Sequence, residues 1–237
     1  MINGKKVLAY IPARSGSKSI KDKNIIDVCG QPLIAYTIIA AKNSQYVDKV
    51  VVSTDSSHYA EIARRYGAEA PFLRPVEIAG DSSLEIDACL HLMNWFEERA
   101  DKFDIIIKLQ PTSPLRKTED IDRALELMRN KQATSIISVS ECLIPPQWTN
   151  TLPEDKSMNH FLREEFKSKN RQELPISYHL NGAIFIGEWE FVKQNRSWYG
   201  KRAFAYVLPK ERSIDIDEPI DLKFAAVLLE ESKEVGV

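Results

Sequence analysis

Three short apolar runs, Val7-Leu8-Ala9-Tyr10-Ile11, Lys49-Val50-Val51-Val52-Ser53 and Asp104-Ile105-Ile106-Ile107-Lys108-Leu109, place the tightest limit on what this chain can become. Runs this short, without polar alternation, read as strands buried on both faces, and such strands belong to parallel sheets covered by helices. Helix-period segments stand between them. Ile34, Ile38 and Ala41 share one face, as do Ile86, Cys89, Leu90, Met93 and Phe96, and again Ile121, Ala124, Leu125 and Met128. Ile25-Ile26-Asp27-Val28-Cys29 reads as a short strand before the turn Gly30-Gln31-Pro32. Thr54-Asp55-Ser56-Ser57 supplies caps for a helix ending near Gly67, and Thr118 is placed to cap another. Strands follow at Ser135–Val139, Gly182–Ile186 and Phe204–Leu208, and Glu218-Pro219 opens a last helix with Leu222, Ala225, Ala226 and Leu229 facing in. The alternation predicts an α/β fold with a mostly parallel, doubly wound, Rossmann-like sheet.

The chain's 237 residues suffice for one such domain with its own core and no disulfide staples. Its three cysteines, Cys29, Cys89 and Cys142, form no ligand spacing and read as small core residues, as expected in a reducing, cytoplasmic compartment. No apolar run approaches the roughly 20 residues of a membrane span. A formal net charge of -2, with acids and bases interleaved, gives no chain-wide field for nucleic acid or an anionic membrane. Any anion site must be local. The strand and helix pattern breaks at Pro145-Pro146-Gln147-Trp148, and residues 150–170 are polar and aperiodic, so an excursion leaves the main sheet there.

The local anion site is sought behind the first strand, where Arg14, Lys18, Lys21 and Lys23 crowd a loop with Ser15, Gly16 and Ser17. A polar loop at the carboxyl end of a strand in an open α/β sheet is where such sheets place ligands. The spacing is not that of a P-loop. An arginine clamp, lysine point charges and free backbone N–H groups nonetheless suit a triphosphate, and the alternative is a solvated charged loop. A second cluster, Ser213-Ile214-Asp215-Ile216-Asp217-Glu218-Pro219, puts two acids on one side of an extended segment. Asp215 and Asp217 can together hold a hard divalent cation such as Mg2+; otherwise Asp217 is a helix cap. Gln110 offers an amide at a strand end, suited to a sugar hydroxyl or carboxylate, or else to a turn. Arg74 is suited to a base or phosphate, and Arg171 and Asn181, flanking a hairpin, to an acidic sugar; for each the alternative is an ordinary surface residue. The four histidines have no metal-ligand spacing, and no serine sits in a nucleophile elbow.

Taken together, IPARSGSK with Lys23-Asn24 beyond it, VVSTD, RP followed by DSS, LQPTSPLR, RQELP with NGAIF, and SIDID with a downstream DL resemble the acylneuraminate cytidylyltransferase family over nearly the whole chain. The resemblance implies a nucleotidyltransferase that moves CMP from CTP to the anomeric hydroxyl of an acidic nine-carbon α-keto sugar and releases pyrophosphate, with Mg2+ or Mn2+ required. The sugar is of N-acylneuraminate type, with legionaminic or pseudaminic acid as the alternative, and a non-catalytic nucleotide-binding protein is the remaining reading. It further implies that Arg14, Lys23, Gln110 and Asp217 serve catalysis, that Arg14, Ser15, Lys23, Asn24, Arg74 and Ser83 hold the nucleotide, that Gln110, Arg171, Asn181 and Phe185 face the sugar, and that Asp215 and Asp217 bind the metal. A homodimer formed through an excursion spanning residues 140–185 of a single 1–237 domain is implied as well. Three positions depart from the family pattern: Ser15 replaces a common glycine, Phe185 a common tyrosine, and Glu85 a common Ser or Thr.

Overall fold

Side chains alternate across each strand, and this alternation sets the layers of the fold. The computed structural model describes residues 1–80 and 83–234. Its elements are β1 (Val7–Pro12), β2 (Asp27–Val28), β3 (Gln31–Pro32), α1 (Leu33–Lys42), β4 (Lys49–Ser53), α2 (Ser57–Arg65), α3 (Glu85–Glu97), β5 (Ile105–Leu109), α4 (Thr118–Lys131), β6 (Ser135–Glu141), β7 (Tyr178–Glu188), α5 (Trp189–Asn195), β8 (Ala203–Val207) and α6 (Pro219–Glu234). Six strands form one sheet in the order β4-β1-β5-β7-β6-β8. β1 pairs parallel with β4 and β5, and β6 parallel with β8, while β7 runs antiparallel to both of its neighbours. The sheet is therefore mostly parallel, as the apolar runs predict.

Val7, Ala9 and Ile11 point to one face, where Ile34 and Ile38 of α1, Tyr59 of α2 and Ile121, Leu125 and Met128 of α4 cover them. Leu8, Tyr10, Val51 and Ile106 point to the other, against Cys89, Met93 and Phe96 of α3 and Trp189 and Val192 of α5. Each fully buried side chain of this size contributes roughly 1.5–3 kcal/mol, which is why the odd–even register is strictly fixed. A third cluster packs Ala225 and Leu229 of α6 on Val28, Leu33 and Ile216. α6 is thereby anchored beside the first loop.

Three local expectations change. The strand expected at Ile25–Cys29 is instead a 3-10 turn, Lys23–Ile25, followed by the small β2–β3 hairpin. Cys29 and Gly30 both have positive φ, 52° and 91°, the pattern of a type I′ turn, so the chain reverses before a longer strand can form. Thr118 does not cap α4: its hydroxyl donates to Ala40 O, while Lys117 is the cap residue, its N–H donating to the Asp120 carboxylate. Ser56 does cap α2, its Oγ accepting from Tyr59 N. Of residues 140–185, the first two end β6 and the last eight begin β7 and so belong to the main sheet, and the polar stretch between them holds short 3-10 turns. Of the DSS segment that follows Arg74-Pro75, Asp81 and Ser82 lie outside the described residues.

Candidate active site

A cavity of about 410 Å3 opens where β1 and β5 end, walled by Arg14, Ser17, Lys23, Asn24, Arg74, Ser83, Glu85, Gln110, Asp215 and Asp217 among others. This is the carboxyl edge of the parallel strands, and the loops leaving them supply the polar groups. The loop after β1 is fixed by its neighbours. Ser15 donates through its N–H and its hydroxyl to the two carboxylate oxygens of Asp55, at 2.8 and 2.7 Å. Asn24 donates to Arg14 O at 2.9 Å, and Tyr59 donates to Asp22, which holds a left-handed φ of 52°. Ser15 is thus spent on the loop that follows β4 and does not line the cavity, as Lys18 and Lys21 do not.

Asp215 and Asp217 flank the fully buried Ile216, whose N–H donates to Thr112 O. Both carboxylates consequently face the cavity. The cap of α6 is provided by Asp221, which accepts from the N–H groups of Asp217 and Glu218 at 3.0 and 2.8 Å, so the side chain of Asp217 is not needed as a cap. Asp217 instead meets Lys23 Nζ, which also donates to Ile216 O at 2.8 Å. Burial pushes the Asp215 carboxyl above its ordinary pKa, opposed by a hydrogen bond with Thr112 and reinforced by the charge of Asp217. Its Oδ1 is buried with no hydrogen-bond partner. Among the described residues no group of three or more His, Cys, Asp or Glu could hold a metal.

Gln110 also lines the cavity. Its backbone O accepts from Thr37 Oγ1 and from Arg116, both at 3.2 Å, and Arg116 also donates to Ala183 O at 2.7 Å and to Thr37 Oγ1 at 2.6 Å. The buried guanidinium therefore ties the β5 loop to α1 and β7. Arg74 is buried and spends its guanidinium on Ser53, donating to its Oγ at 3.1 Å and its carbonyl at 2.6 Å. Ser83 donates to Glu77 O.

Three residues expected at the sugar do not line the cavity. Asn181 is buried in a network in which Ser138 donates to its Oδ1 at 2.5 Å and its Nδ2 donates to Ser140 Oγ at 2.7 Å and Ser213 Oγ at 3.4 Å. Because Ser213 is two residues before Asp215, Asn181 fixes the acidic segment to β6 and β7. Phe185 pairs with Lys108 across the β5–β7 register and is in the core, where alternation on a doubly paired strand sends it. Arg171 is exposed on the excursion, donating to Leu143 O.

The sequence pattern did not single out Arg116, Lys108 or Ser213. Lys108 carried a readable signal, a lone charge inside an apolar strand run.

An α/β sheet with a cationic loop and paired carboxylates at its carboxyl edge defines a nucleotide-binding enzyme of the phosphate-transfer kind. The pattern defining the family described as "Cytidylyltransferase" matches residues 8–235, and the chain belongs to that family. It is 38% identical over 235 residues to a Legionella pneumophila protein named CMP-N,N'-diacetyllegionaminic acid synthase, covering 98% of this chain and all of that one. It is 35% identical over 224 residues to an Escherichia coli N-acylneuraminate cytidylyltransferase, covering 94% of this chain and 52% of that longer protein. A solved structure of CMP:2-keto-3-deoxy-manno-octonic acid synthetase complexed with CTP superposes with a TM-score of 0.69 at 20% identity, covering 96% of this chain and 99% of that one; the likeness is one of fold.

Proposed function

We propose that the enzyme transfers CMP from CTP to the anomeric hydroxyl of an acidic nine-carbon α-keto sugar of the N-acylneuraminate type, releasing pyrophosphate. The observation that carries this reading is the convergence, in one cavity, of Arg14 and Lys23 with Asp215, Asp217 and Gln110. Arg14 and Lys23 bind the triphosphate and balance charge as it builds on the departing pyrophosphate. Asn24 holds the Arg14 loop in place for this. Gln110 orients the sugar so that its anomeric oxygen approaches the α-phosphorus in line.

The unpartnered Oδ1 of Asp215 and the adjacent carboxylate of Asp217 form a hard-oxygen donor pair that suits Mg2+ or Mn2+, the remaining positions falling to water and phosphate. When bound there, the ion supplies neutralisation of phosphate charge. The polar excursion carries exposed Leu143, Ile144, Ile176, Tyr178 and Leu180, which supports a homodimer in which a second copy's excursion, with Arg171, completes the sugar side. The reading places this CTP-using enzyme in the cytoplasm. Among the described residues no helix is long and apolar enough to cross a membrane.

Legionaminic acid is the second reading for the acceptor, favoured by the name of the 38% identical relative. The test is pyrophosphate release with CTP, Mg2+ and a panel of N-acetylneuraminic, legionaminic and pseudaminic acids. Turnover with one of them establishes the transfer and its sugar, and silence with all three refutes it.

A further inference from the structure

Lys108 interrupts the isoleucine run of β5, and only 2% of it is exposed. Its register neighbours are Tyr10 on β1 and Phe185 on β7, on the sheet face that α3 covers. The ammonium stands 3.7 Å from the Phe185 ring centroid and bonds both carboxylate oxygens of Glu85, at 2.6 and 2.8 Å. Burial pulls the lysine's pKa down, and Glu85 is the main opposing influence. An apolar side chain at 108 would complete this core without that penalty, so the lysine is accounted for by the acid it holds.

Glu85 opens α3, and its half-exposed carboxylate lines the cavity. Arg14, Lys23, Asp215 and Asp217 give the cavity its charge, whereas Ile78, Ala79, Gly80, Leu84 and Ala88, close to Glu85 in the chain, give it small and apolar surface. Arg74, also on the wall, directs its Nε and one Nη to Ser53. Such apolar surface suits a flat heterocycle better than a phosphate. Lys108 cancels the Glu85 charge from beneath, so the carboxylate presents lone pairs to the cavity without repelling a polyanionic ligand. A carboxylate in that state accepts from an N–H donor, as Glu and Asp accept from the cytosine amino group in nucleic-acid recognition.

We infer that Glu85, positioned by Lys108, accepts a hydrogen bond from the exocyclic amino group of the CTP base and so discriminates CTP from UTP. The inference rests on the nucleotide half of the function proposed above. Uracil has a carbonyl where cytosine has its amino group, and would leave Glu85 facing an acceptor with no donor between them.

The test is calorimetric binding of CTP and of UTP, with MgCl2 and without any sugar, to the full chain. The wild type is expected to prefer CTP. Glu85→Gln keeps an acceptor for Lys108 but adds donors that uracil can use, and should narrow the CTP-to-UTP affinity ratio by about tenfold or more. Removing the pair together, with Glu85→Leu and Lys108→Met, should narrow it as far while preserving the melting temperature, which separates a lost acceptor from a damaged core. A ratio within twofold of the wild type in Glu85→Gln overturns the inference and leaves CTP use standing. Failure of the wild type to bind CTP overturns the inference together with the nucleotide reading beneath it.

Discussion

The ammonium of Lys23 and the carboxylate of Asp217, 194 positions apart in the chain, meet at 2.9 Å. The contact joins the loop after β1 to the segment entering α6, and Ser19 Oγ reinforces it by donating to Asp217 O at 2.5 Å. A lysine that reaches both the acid pair and the cavity is placed to bridge an incoming polyphosphate to the carboxylates. The pair itself adds little to folding, since the Asp217 side chain is 73% exposed. Lys23→Met is therefore expected to raise the KM for CTP by about tenfold or more while moving the melting temperature by less than about 2 °C. Steady-state kinetics with varied CTP, beside a thermal melt, checks both halves. A large fall in melting temperature at unchanged KM would make Lys23 a structural residue.

Asp215 illustrates a site built against stability. Burial raises its carboxyl pKa above the ordinary carboxylate range, so the folded chain holds that proton more tightly than the unfolded chain does. Stability consequently falls as pH rises from the ordinary carboxylate range through the raised value, and the loss persists at neutral pH. Asp215→Asn removes the buried charge. In EDTA it should melt higher than the wild type at pH 7, with the difference shrinking under acidic conditions where the wild-type carboxyl is neutral. Its activity should fall by about a hundredfold or more. Added Mg2+ should raise the melting temperature of the wild type and not of the variant. A variant that melts no higher than the wild type at pH 7, or that keeps full activity, contradicts this account.

What the sequence disclosed followed burial. β1, β4 and β5 were legible because strands covered on both faces must be continuously apolar, and Ser56 and Gly67 bracketed α2 because caps and positive φ demand such residues. The Asp215/Asp217 pair was legible as two acids on one side of an extended segment. Its release from capping was not, because that depends on Asp221 reaching back to the N–H groups of Asp217 and Glu218. Asn181 misled because it follows the exposed residues Tyr178 and Leu180, and Phe185 because the family resemblance, and not its buried apolar neighbours Ile184 and Ile186, assigned it to the sugar. Only the insertion of β7 between β5 and β6 shows that both are interior. Lys108 and Glu85 are far apart in sequence, and nothing local predicts that α3 starts directly over the end of β5.

Gly182 and Gln110 give the sharpest geometric test of the sugar side. Gly182 has φ +74°, a backbone conformation that side chains resist, and a Cβ there would fall 2.0 Å from Gln110 Oε1. The glycine therefore serves two ends, turning β7 and leaving the volume that the Gln110 amide occupies at the cavity wall. Gly182→Ala must displace that amide, because the Gln110 backbone is held by Thr37 and Arg116 and cannot retreat with it. The strained backbone should lower stability by roughly 1–2 kcal/mol. The displaced amide should lower kcat/KM for the sugar by about tenfold or more. CTP affinity, which rests on Arg14 and Lys23, should stay within about twofold. Gln110→Ala vacates the clashing volume, so in its background Gly182→Ala should cost no further kcat/KM for the sugar, although the strain remains. A double-mutant cycle on kcat/KM, with melts in parallel, separates the two effects. Strict additivity in kcat/KM would mean that the glycine acts through the backbone alone.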